Sequence, residues 1–142
     1  MNHRQIIHDT REVLGISHDE AAAFIGISST HYWDLENHDD ELFTTLALGE
    51  IIHLCRLLQL LPRHLLSCEP ILPTRQPEEP KHLILSYCRD TSTPIDKFEE
   101  QAGWEVQHFL TDPQSHFQKW NLDCLRDVCS AVGANYKEFI PS

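Results

Sequence analysis

Between Arg11 and Arg56 this chain contains no lysine and no arginine. The same window holds nine carboxylates: Glu12, Asp19, Glu20, Asp34, Glu36, Asp39, Asp40, Glu41 and Glu50. A protein that draws its affinity from phosphate contacts needs a basic face, and this stretch supplies only His18, His31, His38 and His53, cationic at low pH. Like charges in close approach repel by about 1 kcal/mol per pair even in water. Long apolar runs are missing too. The longest patch, Ile51–Leu61, is interrupted by His53, Arg56 and Gln59, well short of the roughly 18–20 residues that a bilayer-spanning helix needs. The opening MNHRQIIHDTREVL is too polar for a secretory signal.

Chemistry-bearing motifs are equally scarce. The five cysteines form no C-x-x-C pair, which leads us to expect reduced thiols in a cytoplasmic protein. Cys68, in a proline-rich stretch, is the one to test for reactivity. The ten histidines show neither H-x-x-x-H nor HExxH spacing. Asp39-Asp40-Glu41 lacks the alternation of a calcium loop. No nucleophile elbow and no Gly-rich phosphate loop occurs. No catalytic residue, metal site, cofactor or small-molecule substrate is therefore expected, and the chain reads as a non-enzyme.

What is present suits a helical protein. The chain has 142 residues, 41% of them hydrophobic, and a formal net charge of −11. That length allows one ordinary domain or two small ones. Both halves are acidic: four basic against ten acidic residues up to position 66, seven against twelve beyond it.

The organising stretch is SHDEAAAFIGISSTHYWDLE, residues 17–36. Ser17 and Glu20 form an S-x-x-E capping box. Asp19–Phe24 is Ala-rich and suits a closely packed helix. Gly26 can end that helix with a positive φ, and Ser28 can cap a second helix over Ser29–Leu35, with Trp33 as its core anchor beside Tyr32 and Leu35. A first helix over residues 3–14 carries an apolar stripe of Ile7, Thr10 and Leu14, bordered by Ile6 and Val13, and closes at Gly15. A loop, Asn37–Thr45, is pinned by Leu42, Phe43 and Leu46. A long helix follows from Leu48 to Leu61, with Ile51, Ile52, Cys55 and Leu58 inward, and Pro62–Leu66 makes a last turn.

The segments LGIS (14–17), EAAAFIGIS (20–28), DLEN (34–37) and LCRLLQL (54–60) together resemble the helix-turn-helix of the phage-repressor and Cro-like (XRE) family. The resemblance implies a five-helix, lambda-repressor-like domain over 1–66 and, by default, DNA binding. In the family the exposed N-terminal residues of the motif's second helix enter the major groove. Carried over, these are Ser28, Ser29, Thr30 and His31, with Asp34 at the edge. His18 stands where the family often has a phosphate-touching Gln. The loop that is commonly basic in the family is Asn37-His38-Asp39-Asp40-Glu41 here.

Residues 67–80 read as a linker, because five of the eight prolines fall between 62 and 80 and proline at that density favours extended geometry. Ile71 and Leu72 offer the linker apolar anchors. Residues 81–142 read as a degenerate second copy. LCRLLQLLPRHLL (54–66) aligns with VCSAVGANYKEFI (128–140) at an offset of 74, matching Cys55 with Cys129 in the core, and Gly26 aligns with Gly103 at 77. Ser92-Thr93-Pro94 announces a helix over Ile95–Gln101, with proline at its first position. Trp104–Leu110 is the next helix, Asp112-Pro113 a break, and Leu122–Val132 the last, closed by Gly133. Its recognition-helix equivalents, Glu105, Val106, Gln107 and His108, are no better suited to phosphate. The expected fold is all-α, with two tandem domains.

Two functions follow. The first is a regulator that binds a basic protein, in the manner of an immunity protein or antitoxin covering a nuclease toxin, through Asp34, Glu36, Asp39, Asp40 and Glu41; complementary charge speeds encounter and suppresses wrong pairs. The second is the XRE-type transcriptional regulator, touching DNA through His18, Ser28, Ser29, Thr30 and His31. It would have to draw its cations from Arg4, Arg11, Arg56 and Arg63.

Overall fold

The computed structural model describes residues 2–66, 76 and 78–140, and over them the chain is all-helical. The expected contacts of Ile71 and Leu72 and the reactivity of Cys68 lie outside the described residues. Helix α1 (His3–Leu14) is capped by Asn2, and α2 (His18–Ile25) by Ser17, whose hydroxyl accepts the Glu20 N–H at 3.1 Å. Ser28 likewise accepts the His31 N–H and starts α3 (Ser29–Asn37). The expected loop holds a short helix, α4 (Glu41–Thr44), with Leu42 and Leu46 fully buried. Then come α5 (Leu48–Leu58) and α6 (Pro62–Leu65). The second series is α7 (Glu79–Thr91), α8 (Ile95–Ala102), α9 (Gln107–Thr111), α10 (Pro113–Phe117), α11 (Leu122–Ala131) and a 3-10 turn, Tyr136–Phe139.

Several expected boundaries move. Helix α5 stops at Gln59, which takes a left-handed φ of 57°, three residues before the first proline. Pro80 does not belong to a helix-free linker: it lies in the first turn of α7, where its missing N–H would have no intrahelical partner in any residue. Pro94 is the N-cap of α8 and not its first helical residue. Trp104 and Glu105 precede α9, because Glu99 accepts the Val106 N–H at 2.7 Å and delays the helix start.

The apolar stripe of α1 is also rotated from the expected one. Ile7 and Arg11 face inward, whereas Val13 is 86% exposed and Leu14 projects outward. On α3, Tyr32 and Leu35 are fully buried, but Trp33 is 48% exposed and is not a core anchor. Both departures share a cause: Arg11 and Glu36 meet between α1 and α3, and the helix faces turn to bring them there.

The backbone repeats itself along the chain. Among the described residues six have a positive φ: Gly15, Gly26, Gln59, Ser92, Gly103 and Gly133. They fall into three pairs, 15 with 92 and 26 with 103 at a separation of 77, and 59 with 133 at 74. The closing hydrogen bonds repeat as well. Ile16 N–H donates to Arg11 O as Thr93 N–H does to Cys88 O, and Leu60 N–H to Cys55 O as Ala134 N–H does to Cys129 O. Each is a left-handed helix ending that satisfies a terminal carbonyl.

The two series meet along a seam. Ala47 and Asn121, themselves 74 residues apart, form an antiparallel bridge. Leu48 N–H donates to Trp120 O at 2.7 Å and Gly49 N–H to Gln118 O at 2.9 Å. Asn121 Nδ2 donates to Thr44 O at 2.8 Å, and buried Arg63 Nε to Ile140 O at 2.9 Å. A Cβ on Gly49 would sit 3.3 Å from the Gln118 side chain and 3.4 Å from its carbonyl oxygen, so the two segments run close together here. Helix α4 packs on α11, with Arg126 over the Phe43 ring. Beyond the seam, Phe109, Phe117 and Trp120 form an aromatic cluster with Phe109 and Trp120 4.4 Å apart. The four described cysteines, 55, 88, 124 and 129, are free and buried, and desolvation pushes the Cys55 and Cys124 thiols up to about 12.

Asn121 is the residue that tests this seam. Its Oδ1 accepts the Cys124 N–H and caps α11 while its Nδ2 reaches the other series. Asn121→Ala removes a helix cap and a hydrogen bond together and should cost about 2 kcal/mol. Calorimetry should show a lower Tm; an unchanged Tm would mean the seam does not contribute to stability.

Candidate functional site

The site is built around the carboxylate of Glu36 on α3. Its side chain is 2% exposed, although its sequence neighbours Asn37 and His38 are in solvent. Arg11 holds it with two bonds, Nε to Oε2 at 2.7 Å and Nη2 to Oε1 at 3.1 Å. Arg11 Nη1 also donates to Ile16 O, the residue just after α1. His8 Nδ1 lies 2.9 Å from Glu36 Oε1 and His18 Nε2 3.5 Å from it. The Tyr32 hydroxyl is buried beside the same carboxylate without a full hydrogen bond. One carboxylate thus ties α1, the start of α2, and α3.

Glu36 is therefore removed from the expected partner-binding surface: it is spent inside the fold. Burial by itself pushes its carboxyl upward, but the hydrogen bonds from Arg11 and His8 outweigh burial and leave it below the ordinary range. Desolvation pushes the Tyr32 phenol upward, and the Glu36 charge adds to that.

The other acidic candidates remain at the surface. Asp34 is half-buried and lies 3.6 Å from His38 Nε2. Asp39 is exposed and binds Arg4 Nε at 2.6 Å. Asp40 is exposed, and Glu41 accepts the Thr45 hydroxyl at 3.0 Å. Asp34 to Glu41 form a strip running from the last turns of α3 into α4.

The expected DNA-contacting residues are distributed less favourably. The Ser28 hydroxyl is engaged as a helix cap. Ser29 donates its hydroxyl to Asp19 at 2.6 Å, and His31 Nε2 lies 2.7 Å from the Thr45 hydroxyl. Thr30 is exposed, and His18 packs its ring against Tyr32 at 5.8 Å. The four arginines do worse. Arg11 and Arg63 are buried. Arg4 is bound to Asp39, and only Arg56 stands exposed on α5. In the second series Gln107 Nε2 donates to Glu99.

The exposed side of α3 bears a residue missed as a surface feature. Trp33 borders an open groove of about 360 Å³ together with His18, Asp19, Ser29 and Thr30. On its other side the His38 ring meets the indole edge-on at 6.0 Å. No hydrophobic period marks a tryptophan as exposed, so only the packing of α3 revealed it. Among the described residues no group of three or more His, Cys, Asp or Glu could hold a metal ion, and no helix is long and apolar enough to cross a membrane.

The chain matches no protein-family model, no curated protein and no solved structure.

Replacing one partner of a buried ion pair leaves the other uncompensated and typically costs about 3–5 kcal/mol. Glu36→Ala is expected to lower Tm steeply, whereas Glu36→Leu combined with Arg11→Met should recover much of the loss. The acid dependence follows from the same pair. The Glu36 carboxyl titrates lower in the folded chain than in the unfolded one, so its stabilisation is present above the normal carboxylate range and is lost as pH falls through it. Tm of the native chain should drop below about pH 5, and the double variant should lose part of that slope. Equal slopes would show that the pair is not linked to acid unfolding.

Proposed function

We propose that the chain is a non-catalytic, cytoplasmic regulator that binds a basic protein partner, built from two tandem lambda-repressor-like helix-turn-helix domains joined by the proline-rich segment. The tandem reading is supported by the three pairs of left-handed helix endings and by the repeated closing hydrogen bonds. The resemblance of residues 4–66 to the XRE family supports the domain type.

One observation carries the choice of partner. Of the four arginines that DNA binding would call on, two are buried and a third is bound to the chain's own Asp39. Phosphate neutralisation supplies most non-specific affinity for DNA, and little cationic surface is left on the α2–α3 side to provide it. Asp34, Asp39, Asp40 and Glu41 keep their carboxylates at the surface, and the Trp33 indole on α3 is exposed. Acidic groups around an aromatic anchor suit a basic protein surface. An immunity-like or antitoxin-like role against a nucleic-acid-cleaving protein fits, since such a partner is itself built to hold phosphate.

Fluorescence anisotropy with random duplex DNA at low salt tests this reading. No binding is expected at tens of micromolar protein, a range in which non-specific binders with Kd of about 1–100 µM are visible. Binding that weakens steeply with salt would overturn it in favour of the XRE-type regulator acting through Ser29, Thr30 and His31. Against an isolated basic partner, replacing Asp39, Asp40 and Glu41 together by Ala should weaken binding by about tenfold or more; unchanged affinity would remove this strip from the interface.

A further inference from the structure

The groove beside Trp33 combines three features. The first is an indole left half in solvent at the middle of α3. The second is the exposed Asp19 carboxylate, of which one oxygen takes the Ser29 hydroxyl and the other takes no hydrogen bond among the described residues. The third is a lining without lysine or arginine, in which His18 is the one basic side chain. Arg11, the nearest arginine in sequence, is locked on Glu36, and Arg4 on Asp39. An aromatic face next to a carboxylate attracts a cationic group from both sides, by the ring quadrupole and by the charge. The groove's volume of about 360 Å³ lies at the small end of ligand sites, about 300–1,000 Å³. It suits one long side chain and not a whole helix.

We infer that this groove seats an arginine side chain of the protein partner, with its guanidinium stacked on Trp33 and donating to Asp19. The inference rests on the reading of this face as a protein-binding one and deepens it. Arginine is favoured over lysine for a physical reason. Guanidinium is planar, weakly hydrated and presents several donors at once, so it can lie on the indole and still bond a carboxylate in the same plane. A lysine ammonium is a compact, strongly hydrated charge that can do only the second. The Thr30 hydroxyl, exposed at the groove edge, can accept a further guanidinium N–H. His18 also lines the groove, and its Nε2 lies 3.5 Å from the buried Glu36 carboxylate.

NMR of the full chain tests the seat without knowledge of the partner. The three tryptophans give three indole N–H signals, and the probe is Nα-acetyl-argininamide. The Trp33 indole and the Ser29 and Thr30 amides should shift saturably, while the Trp104 and Trp120 indoles stay in place. Nα-acetyl-citrullinamide, neutral and of the same shape, should produce no saturable shift, and Nα-acetyl-lysinamide one several-fold weaker. Trp33→Leu keeps apolar bulk without the π face. Read at the Ser29 and Thr30 amides, it and Asp19→Asn should each weaken arginine binding by about tenfold. Asp90→Asn, which removes an exposed carboxylate elsewhere, should change nothing. Shifts scattered over the acidic surface, equal shifts with citrullinamide or lysinamide, or retained binding in Trp33→Leu would each overturn the seat. Those results leave the protein-binding reading to its own DNA test. DNA binding overturns that reading whatever the arginine probe shows.

Discussion

The carboxylate of Glu36 and the guanidinium of Arg11, meeting between two helices out of reach of water, set the geometry on which the first half of the molecule depends. A buried ion pair is costly to desolvate, and mutual attraction repays the cost only when the geometry is good and the remaining lone pairs are used. Both conditions are met: the contact is two-pronged and His8 takes a further position on the carboxylate. The pair decides which face of α1 and which face of α3 turn inward. Arg11 rotates Val13 and Leu14 outward, and Glu36 brings Tyr32 and Leu35 into the core and leaves Trp33 outside.

This pair also reshapes the functional argument. It removes one carboxylate from the acidic surface and one arginine from any DNA-facing edge. The second removal weighs more, because the chain has few cations to lose. Arg63 is committed to the carbonyl of Ile140 across the seam, Arg4 to Asp39, and Arg126 to Asp123 and the Phe43 ring. These four arginines, which composition counts as available charge, are engaged within the fold. The second half has no matching pair: the position 77 residues after Arg11 is Cys88, buried in an apolar setting. The two halves thus share backbone endings while differing in what holds them together.

The seam has its own logic. Its antiparallel bridge joins Ala47 and Asn121, 74 residues apart, the separation that also divides the left-handed residues Gln59 and Gly133. Backbone donors at the start of α5, which intrahelical bonding cannot satisfy, find the carbonyls of Trp120 and Gln118. Gly49 lies at the close approach, with Gln118 opposite. Helix termini that need partners and a chain segment that offers carbonyls explain why the halves stay in contact here.

The local structure was legible in the sequence. Ser17 and Ser28 cap the helices they precede, Gly15, Gly26 and Gly133 end helices with left-handed turns, and Leu42 and Leu46 pin the turn between α3 and α5. These depend on bonds within a few residues, so short-range patterns specify them. The all-helical class followed from the same periodicity. The destination of the long charged side chains was not legible. Nothing in DLEN distinguishes Asp34, which stays at the surface, from Glu36, which is buried; nor does the run before Gly15 mark Arg11 as an inward residue. Trp33 was misplaced for the same reason, because a tryptophan reads as core until the register of its helix is known. Local caps and left-handed glycines mark helix ends that a sequence can show. Which face of a helix becomes surface is a long-range decision, made here by one ion pair 25 residues apart in sequence that closes only when α1 and α3 pack.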